Sequence, residues 1–299
     1  MATETKPIVM TKKSPKVKIS ASTIISYAAL IILSVIWLIP IVWMILTAFR
    51  EEYVDGVFQG SVSSNFYPKG FGFENFRRLF QETQFLTWFT NTLIVAIFTT
   101  ILSTLMVLMV SYAISKLRFK LRKPLMNVAM ILGLFPGFMS IIAVYYILKA
   151  MGLTQSLFAL VLCYSAGAGL GFYVAKGFFD IIPSALIESA KIDGASALQT
   201  FVKIILPLSK PIIIYTVLTS FTGPWMDFVF ARVILGETNT SIHTVSVGLY
   251  LMIHSSQADG TMFSTFIAGC IIVSLPIVAL FLVMQKYYVS GVTSGAVKG

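Results

Sequence analysis

The sequence predicts an all-α protein that crosses a membrane with six helices. Three observations carry this. Of 299 residues 57% are hydrophobic and only 11% charged, a balance that a water-soluble globule of this size would not keep in solution. Five stretches free of Asp, Glu, Lys and Arg cover residues 19–49, 83–115, 124–148, 150–175 and 260–285, and a sixth, 211–226, continues apolar past Asp227 to residue 231. Each is long enough to cross a bilayer core of about 30 Å as helix. Lastly, lysine and arginine are divided unevenly between the two sets of loops.

The first stretch follows Lys12, Lys13, Lys16 and Lys18, as a secretory signal would. Its apolar run is too long for one and no small-x-small cleavage site closes it, so a retained anchor is expected. With the N-terminus placed in the cytoplasm, that side holds Lys6 and those four, Lys116, Arg118, Lys120, Arg122, Lys123, Lys176, Lys191, Lys203, Lys210, Lys286 and Lys298. The other side holds Arg50, Lys69, Arg77, Arg78, Lys149 and Arg232. Sixteen against six predicts both termini in the cytoplasm. The net charge of +10 is therefore topological and favours anionic lipid at the helix ends, with no nucleic acid partner required.

Between the spans, the outer loop from residue 50 to 84 mixes charges with SSNFYPKGFGFENF and reads as an ordered cap. FENFRRLF, residues 73–80, spaces Phe73, Phe76, Leu79 and Phe80 for a short amphipathic helix near the interface. KLRFKLRK is a short basic inner turn. The small residues of SAGAGLG, 165–171, suit either close helix packing or a flexible lining of a path. Pro136 in GLFPG marks a kink, which is also a possible hinge. There is no low-complexity tract or evident internal repeat.

Chemistry-bearing motifs are sparse. Cys163 and Cys270 lie in apolar stretches without disulfide or zinc spacing and are expected to pack; His243 and His254 fall in the last outer loop and are expected to be solvated, with no metal. No P-loop, HExxH or Ser/His/acid set occurs, so the chain is not expected to be an enzyme or to bind a cofactor. Asp227 is the sole acid within a span. An isolated charge there costs roughly 2.5–3.5 kcal/mol, so it faces protein or water. Two roles stay open: lining a solute path with Trp225 and Phe228, or a structural bond to a neighbouring helix or to Arg232.

The polar segment 182–211 stands out. Pro183 suits a first helical turn, Glu188 and Lys191 are spaced as a surface pair, and Asp193-Gly194 breaks the helix. Ser196 with Gln199 has the spacing of a capping box, opening a second helix with Phe201, Ile204, Ile205 and Leu208 on one stripe; Pro207 and Pro211 then return the chain to the membrane. Helix, glycine turn, helix is either a surface re-entry loop or a rigid dock for a soluble partner.

These residues resemble a known signature. EAAxxxG, nine residues, then IxLP marks permease subunits of binding-protein-dependent ABC importers; here it reads Glu188, Ser189, Ala190, Gly194, Ile204, Leu206 and Pro207, with Ser189 in place of the first alanine. GFF at 177–179, IP at 182–183 and WMDF at 225–228 are also similar to the family, although Met226 stands where asparagine is common. GVTSGAVKG, 291–299, resembles the tail of MalG-like subunits of carbohydrate importers.

The resemblance implies a type I importer permease fold in a prokaryotic cell membrane: a cytoplasmic segment 1–20, a transmembrane domain 21–299, outer loops 50–84 and 232–262, a coupling loop 182–211 and a tail 287–299. It implies a MalF-like second permease, an ATPase dimer that uses ATP and Mg, an extracytoplasmic solute-binding protein, and an oligosaccharide substrate, with maltodextrin-type sugars favoured through the tail. The coupling loop, with Glu188, Ser189, Ala190, Asp193, Gly194, Ile204, Leu206 and Pro207, would dock in an ATPase cleft, Gly194 allowing close approach. The loop 236–260 either docks to the binding protein or is a passive lid. Alternatives are an importer for another small solute, or a stand-alone secondary transporter, for which one intramembrane acid is a poor endowment.

Overall fold

A computed structural model of the chain describes residues 21–60, 65–168, 171–254 and 260–296, with side chains to residue 285. The lysines between 6 and 18, residues 169–170 of SAGAGLG, the part of the last outer loop at 255–259, and the side chains of the GVTSGAVKG tail lie outside the described residues. Contacts divide the chain into two units, Met1–Met44 and Ile45–Gly299. In the first, α1 (Ala21–Ala48) carries no charge and has a mean hydropathy of 2.8, the composition of a lipid-spanning helix.

The second unit takes in the last turn of α1 and then a hairpin, β1 (Tyr53–Val54) and β2 (Val57–Phe58), whose two turn residues, Asp55 and Gly56, both take positive φ. Then come α2 (Glu74–Gln81), α3 (Phe85–Lys116), α4 (Arg122–Gly133), α5 (Gly137–Ala150), α6 (Leu157–Ala168), α7 (Phe172–Ile181), α8 (Ser184–Ile192) and α9 (Ala197–Thr200). A π turn (Phe201–Ile205) leads into α10 (Leu206–Leu208), and α11 (Lys210–Met226), α12 (Val229–Leu235), α13 (Val245–His254) and α14 (Phe263–Ala296) complete the chain.

Among the described residues three helices, α1, α3 and the Phe263–Gln285 part of α14, are each long and apolar enough to span; three bent pairs raise the number to six if each pair is one span. The expected third span is thus not straight. It bends by 104° between α4 and α5, because Pro136 has no N–H to continue the ladder and its ring forces Phe135 out of helical geometry. The fourth starts at Leu157, later than the apolar run suggests, and continues through α7 to Ile181. The fifth ends at Met226, and Asp227 lies in a break before α12.

The spine is α3, 32 residues and so roughly 48 Å long. It packs against α6, α7, α11 and α13. Its buried positions include Thr92, Thr99, Ser103, Ser111 and Ser115, small side chains that let neighbouring backbones approach in a setting where lipid offers no hydrophobic drive.

At the N-terminal end of α3 the loops are firmly tied. Trp88 Nε1 donates to Thr240 O (2.9 Å), Asn91 Nδ2 to Ser241 O (2.8 Å) and His243 O (2.9 Å), and Val245 N to Thr92 Oγ1 (2.7 Å). Gly248 lies so close to the Trp88 ring that a Cβ would sit 2.1 Å from it. The expected short helix 73–80 is α2. It buries Leu79 and packs on α14, with Phe76 meeting Phe49 at 5.0 Å. Phe73 and Phe80, on the same expected face, remain exposed. His243, expected to be solvated, is fully buried with Nε2 3.1 Å from Gly236 O; the loop folds back over α3 and encloses it. His254 is exposed and stacks on Tyr250.

Candidate functional site

Two features at different levels along α3 have functional form. The first is the polar segment at its C-terminal end. Ile182 ends α7, and Pro183, just ahead of the first turn of α8 at φ −58° and ψ 131°, redirects the chain. The C-terminus of α8 is closed by the two bonds of a Schellman motif, Ala195 N to Ala190 O (2.9 Å) and Gly194 N to Lys191 O (3.0 Å), which requires the left-handed φ of +79° found at Gly194. Within this chain a Cβ on Gly194 would meet open space, so its role here is the backbone turn; the close approach expected of it has no counterpart among the chain's own atoms. Ser196 and Gln199 form the expected capping box, Gln199 N to Ser196 Oγ at 3.2 Å and Ser196 N to Gln199 Oε1 at 2.8 Å.

The second helix departs from the expected stripe. It opens into a π turn over Phe201–Ile205, because Pro207 has no N–H to donate and its ring would collide with the carbonyl four residues earlier in a tight helix. Phe201 and Ile205 are buried, Ile204 is half-buried and Leu208 is 50% exposed. The direction then changes by 85° into α11.

This segment is anchored to the spans by groups that sequence spacing does not reveal. Lys116 Nζ donates to Ile182 O (2.7 Å) and Tyr112 OH to Ala197 O (3.2 Å); just ahead of the segment, on α7, the Asp180 carboxylate accepts from Ser115 Oγ of α3 and Lys176 Nζ of its own helix, both at 2.6 Å. Beneath them Ile187, Phe201 and Ile205 pack with Val107, Leu108 and Phe179 in one apolar cluster. Of the predicted docking residues, Glu188, Ser189, Asp193, Gly194 and Pro207 are exposed, Leu206 is half-buried and Ala190 is buried. Glu188 and Lys191 form no ion pair; together they line a groove of about 820 Å³ with Lys116, Arg118 and Arg122. Ile192 and Leu198 project outward, 87% and 69% exposed.

The second feature is a cavity of about 780 Å³ midway along α3, walled by α3, α5, α6, α7, α11 and α12. Its polar wall is mostly hydroxyl: Thr99 and Ser103 from α3, Ser140 from α5, and Thr216, Thr219 and Ser220 from α11. Asp227 is also on the wall. Its carboxylate accepts from Tyr164 OH (2.5 Å) on α6 and from Phe230 N (3.3 Å) and Ala231 N (3.0 Å), capping the first turn of α12. Arg232 pairs instead with Glu237 and lies over Phe228 and Tyr250. Asp227 thus makes a structural bond to a neighbouring helix and lines the cavity as well. Trp225 does not: it is buried edge-on against Phe89 at 5.1 Å. Phe228 packs on Tyr250 at 4.4 Å, and Phe230 takes the place on the wall. Cys163 also lines the cavity, whereas Cys270 packs in the core near Leu249. The signal for this wall was the spacing of Thr216, Thr219, Ser220 and Gly223, one helical face, unremarkable until a space opens beside it.

Residues 108–294 match the family described as binding-protein-dependent transport system inner membrane component. This chain belongs to that family. The permease is 36% identical over 242 residues to the galactooligosaccharides transport system permease protein GanQ of Bacillus subtilis, spanning 80% of this chain and 84% of the relative. It is 35% identical to the maltodextrin transport system permease protein MalD of Streptococcus pneumoniae (76% and 80% covered) and 31% identical to the maltose/maltodextrin transport system permease protein MalG of Vibrio vulnificus (72% and 73%). Its fold matches a chain of a bacterial ABC transporter that imports the acidic polysaccharide alginate, with a TM-score of 0.77 at 20% identity over 90% of the permease and 98% of that chain. The permease is accordingly a multi-pass membrane component of a binding-protein-dependent importer.

Proposed function

We propose that this permease is half of the translocation path of an ATP-driven oligosaccharide importer, and that the segment from Pro183 to Pro207 couples closure of a partner ATPase dimer to alternating access. The observation that carries the reading is a helix pair, α8 and α9, that is exposed yet anchored to the spans: Ile192 and Leu198 are exposed, while Lys116 holds Ile182 and Tyr112 holds Ala197. A partner can shift a conformational equilibrium only by as much as it prefers one state, so contacts on a rigidly anchored helix transmit what contacts on a loose loop would lose. Glu188, Ser189, Asp193 and Gly194 complete the docking face.

In this reading α8 and both termini face the cytoplasm, ATP and Mg are used by the ATPase, and a MalF-like subunit supplies the other half of the path. An extracytoplasmic binding protein delivers the sugar to the end carrying α2 and α13. Relatives named for galactooligosaccharide, maltodextrin and maltose transport support a sugar substrate. The test is Ile192→Asp, a change at a position whose side chain packs against little in this chain. The variant is expected to reach the membrane with its partner permease yet lose the co-purifying ATPase; normal uptake would refute the coupling role.

A further inference from the structure

We infer that the groove between α8 and the turn joining α3 to α4 binds the phosphodiester headgroup of an anionic phospholipid from the adjoining membrane leaflet. The coupling role of α8 is not needed for this; the cytoplasmic placement of the turn only fixes which leaflet supplies the lipid. Lys116 at the end of α3, Arg118 in the turn, Arg122 in the first turn of α4 and Lys191 on α8 all line the groove, and two carboxylates, Asp180 and Glu188, oppose these four cations. Asp180 already accepts from Ser115 Oγ and Lys176 Nζ. Among the described residues Arg118, Arg122 and Lys191 enter no ion pair. Around the Lys116 ammonium, Asp180 attracts while Arg122 and Lys176 repel. Like charges brought together from separate elements repel one another, and a phosphate between them would turn that repulsion into charge-assisted hydrogen bonds.

The surroundings of the groove favour a lipid over a soluble anion. Phe119 lines it and is exposed, and Leu121, Leu125 and Val128, exposed at i, i+4 and i+7, carry an apolar face onward from the cations along α4. Cations at one end and an apolar strip beyond them match the two parts of a phospholipid, and basic pockets at the cytoplasmic ends of membrane helices suit such headgroups. Arg118 and Arg122 can each offer a phosphate two parallel N–H donors. A choline headgroup would bring its own cation among them and gain less. No residue of α4 is buried, and Tyr173 OH donates to Met126 O to hold it; a headgroup shared by Arg118, Arg122 and Lys191 would tie the start of α4 to α8. On α8, Ile187 and Lys191 face the groove, whereas Ser189, Ile192 and Asp193 lie round the helix from it, so lipid and ATPase need not compete.

The test is lipid retention by the purified complex of permease, partner permease and ATPase, read by native mass spectrometry after addition of phosphatidylglycerol or phosphatidylcholine at equal concentration. The wild type is expected to retain about fivefold more phosphatidylglycerol. The double variant Arg118→Gln/Lys191→Gln should lower that retention about tenfold, the weight of one charge-assisted hydrogen bond. Lys120→Gln/Lys123→Gln removes the same charge from the same basic stretch outside the groove and should change it little. Equal losses from both double variants would show diffuse surface attraction and overturn the inference, as would equal retention of the two lipids by the wild type. Excess glycerol 3-phosphate should leave the lipid bound; displacement would make the occupant a free phosphate ester and overturn the lipid assignment. If Arg118→Gln/Lys191→Gln keeps the lipid and sheds the ATPase, the groove belongs to the ATPase interface and the inference falls. Should that double variant fail to assemble, Arg118→Gln alone, expected to cost about threefold as one exposed charge contact, decides. A wild-type permease pair that retains phosphatidylglycerol yet brings down no ATPase defeats the coupling reading and leaves this one standing.

Discussion

Asn75 illustrates how one buried amide can organise a loop. Its Nδ2 lies 3.0 Å from Ala48 O and 2.8 Å from Arg50 O, where α1 ends and its last carbonyls have no helical partner. Asn75→Ala should leave them unsatisfied at a cost of about 1–3 kcal/mol, seen as a lower unfolding temperature in detergent, while Asn75→Asp should not rescue it, because a carboxylate cannot donate. His243 makes a pH prediction. Burial holds its imidazole below the usual histidine range, and Nδ1 has no partner when the ring is neutral. The unfolded chain therefore takes up the proton first, so the stability contributed by the neutral ring is complete above about pH 6.5 and is lost as the pH falls below it. The unfolding temperature is expected to drop between pH 7.5 and 5.5, with a shallower fall in His243→Gln. Gly194 is a third case: Gly194→Ala places a Cβ at φ +79°, a strain of roughly 1–2 kcal/mol, and should fray the end of α8 without any clash.

Among the helices, α8 to α10 form a unit whose limits were legible in local chemistry. Pro183, the Asp193-Gly194 turn and the Ser196–Gln199 box each act within a few residues, so sequence spacing located them. The anchors act across 66 residues in the case of Lys116 and Ile182 and across 85 for Tyr112 and Ala197, and no local pattern encodes such pairings. The π turn before Pro207 was likewise hidden, since a proline announces a disturbance but not which helical winding absorbs it. Lys116→Met and Tyr112→Phe should leave membrane insertion and ATPase association intact while reducing substrate-stimulated ATP hydrolysis severalfold, measured against the basal rate of the same complex. An unchanged ratio of stimulated to basal rate in both variants would mean that the anchors do not transmit movement.

The molecule as a whole is a component of a transport system that depends on a binding protein. It carries a cavity along α3 and an exposed α8, the helix proposed to couple to an ATPase. Isolation in mild detergent should bring down an ATPase and a second permease at fixed stoichiometry, and Ile192→Asp should remove only the ATPase. By itself the sequence determined the membrane class, the positions of the apolar stretches, and the helix ends at Pro183, Gly194 and Ser196, because hydropathy, capping and proline chemistry are properties of consecutive residues. Tertiary structure alone decided that Asp227 caps α12 and binds Tyr164 while facing a cavity, that Trp225 is core, that His243 is enclosed, and that scattered serines and threonines become one polar wall. Each of these depends on which helix faces which, and in a chain this uniformly apolar the hydrophobic pattern leaves that choice to side-chain packing and buried hydrogen bonds between distant residues.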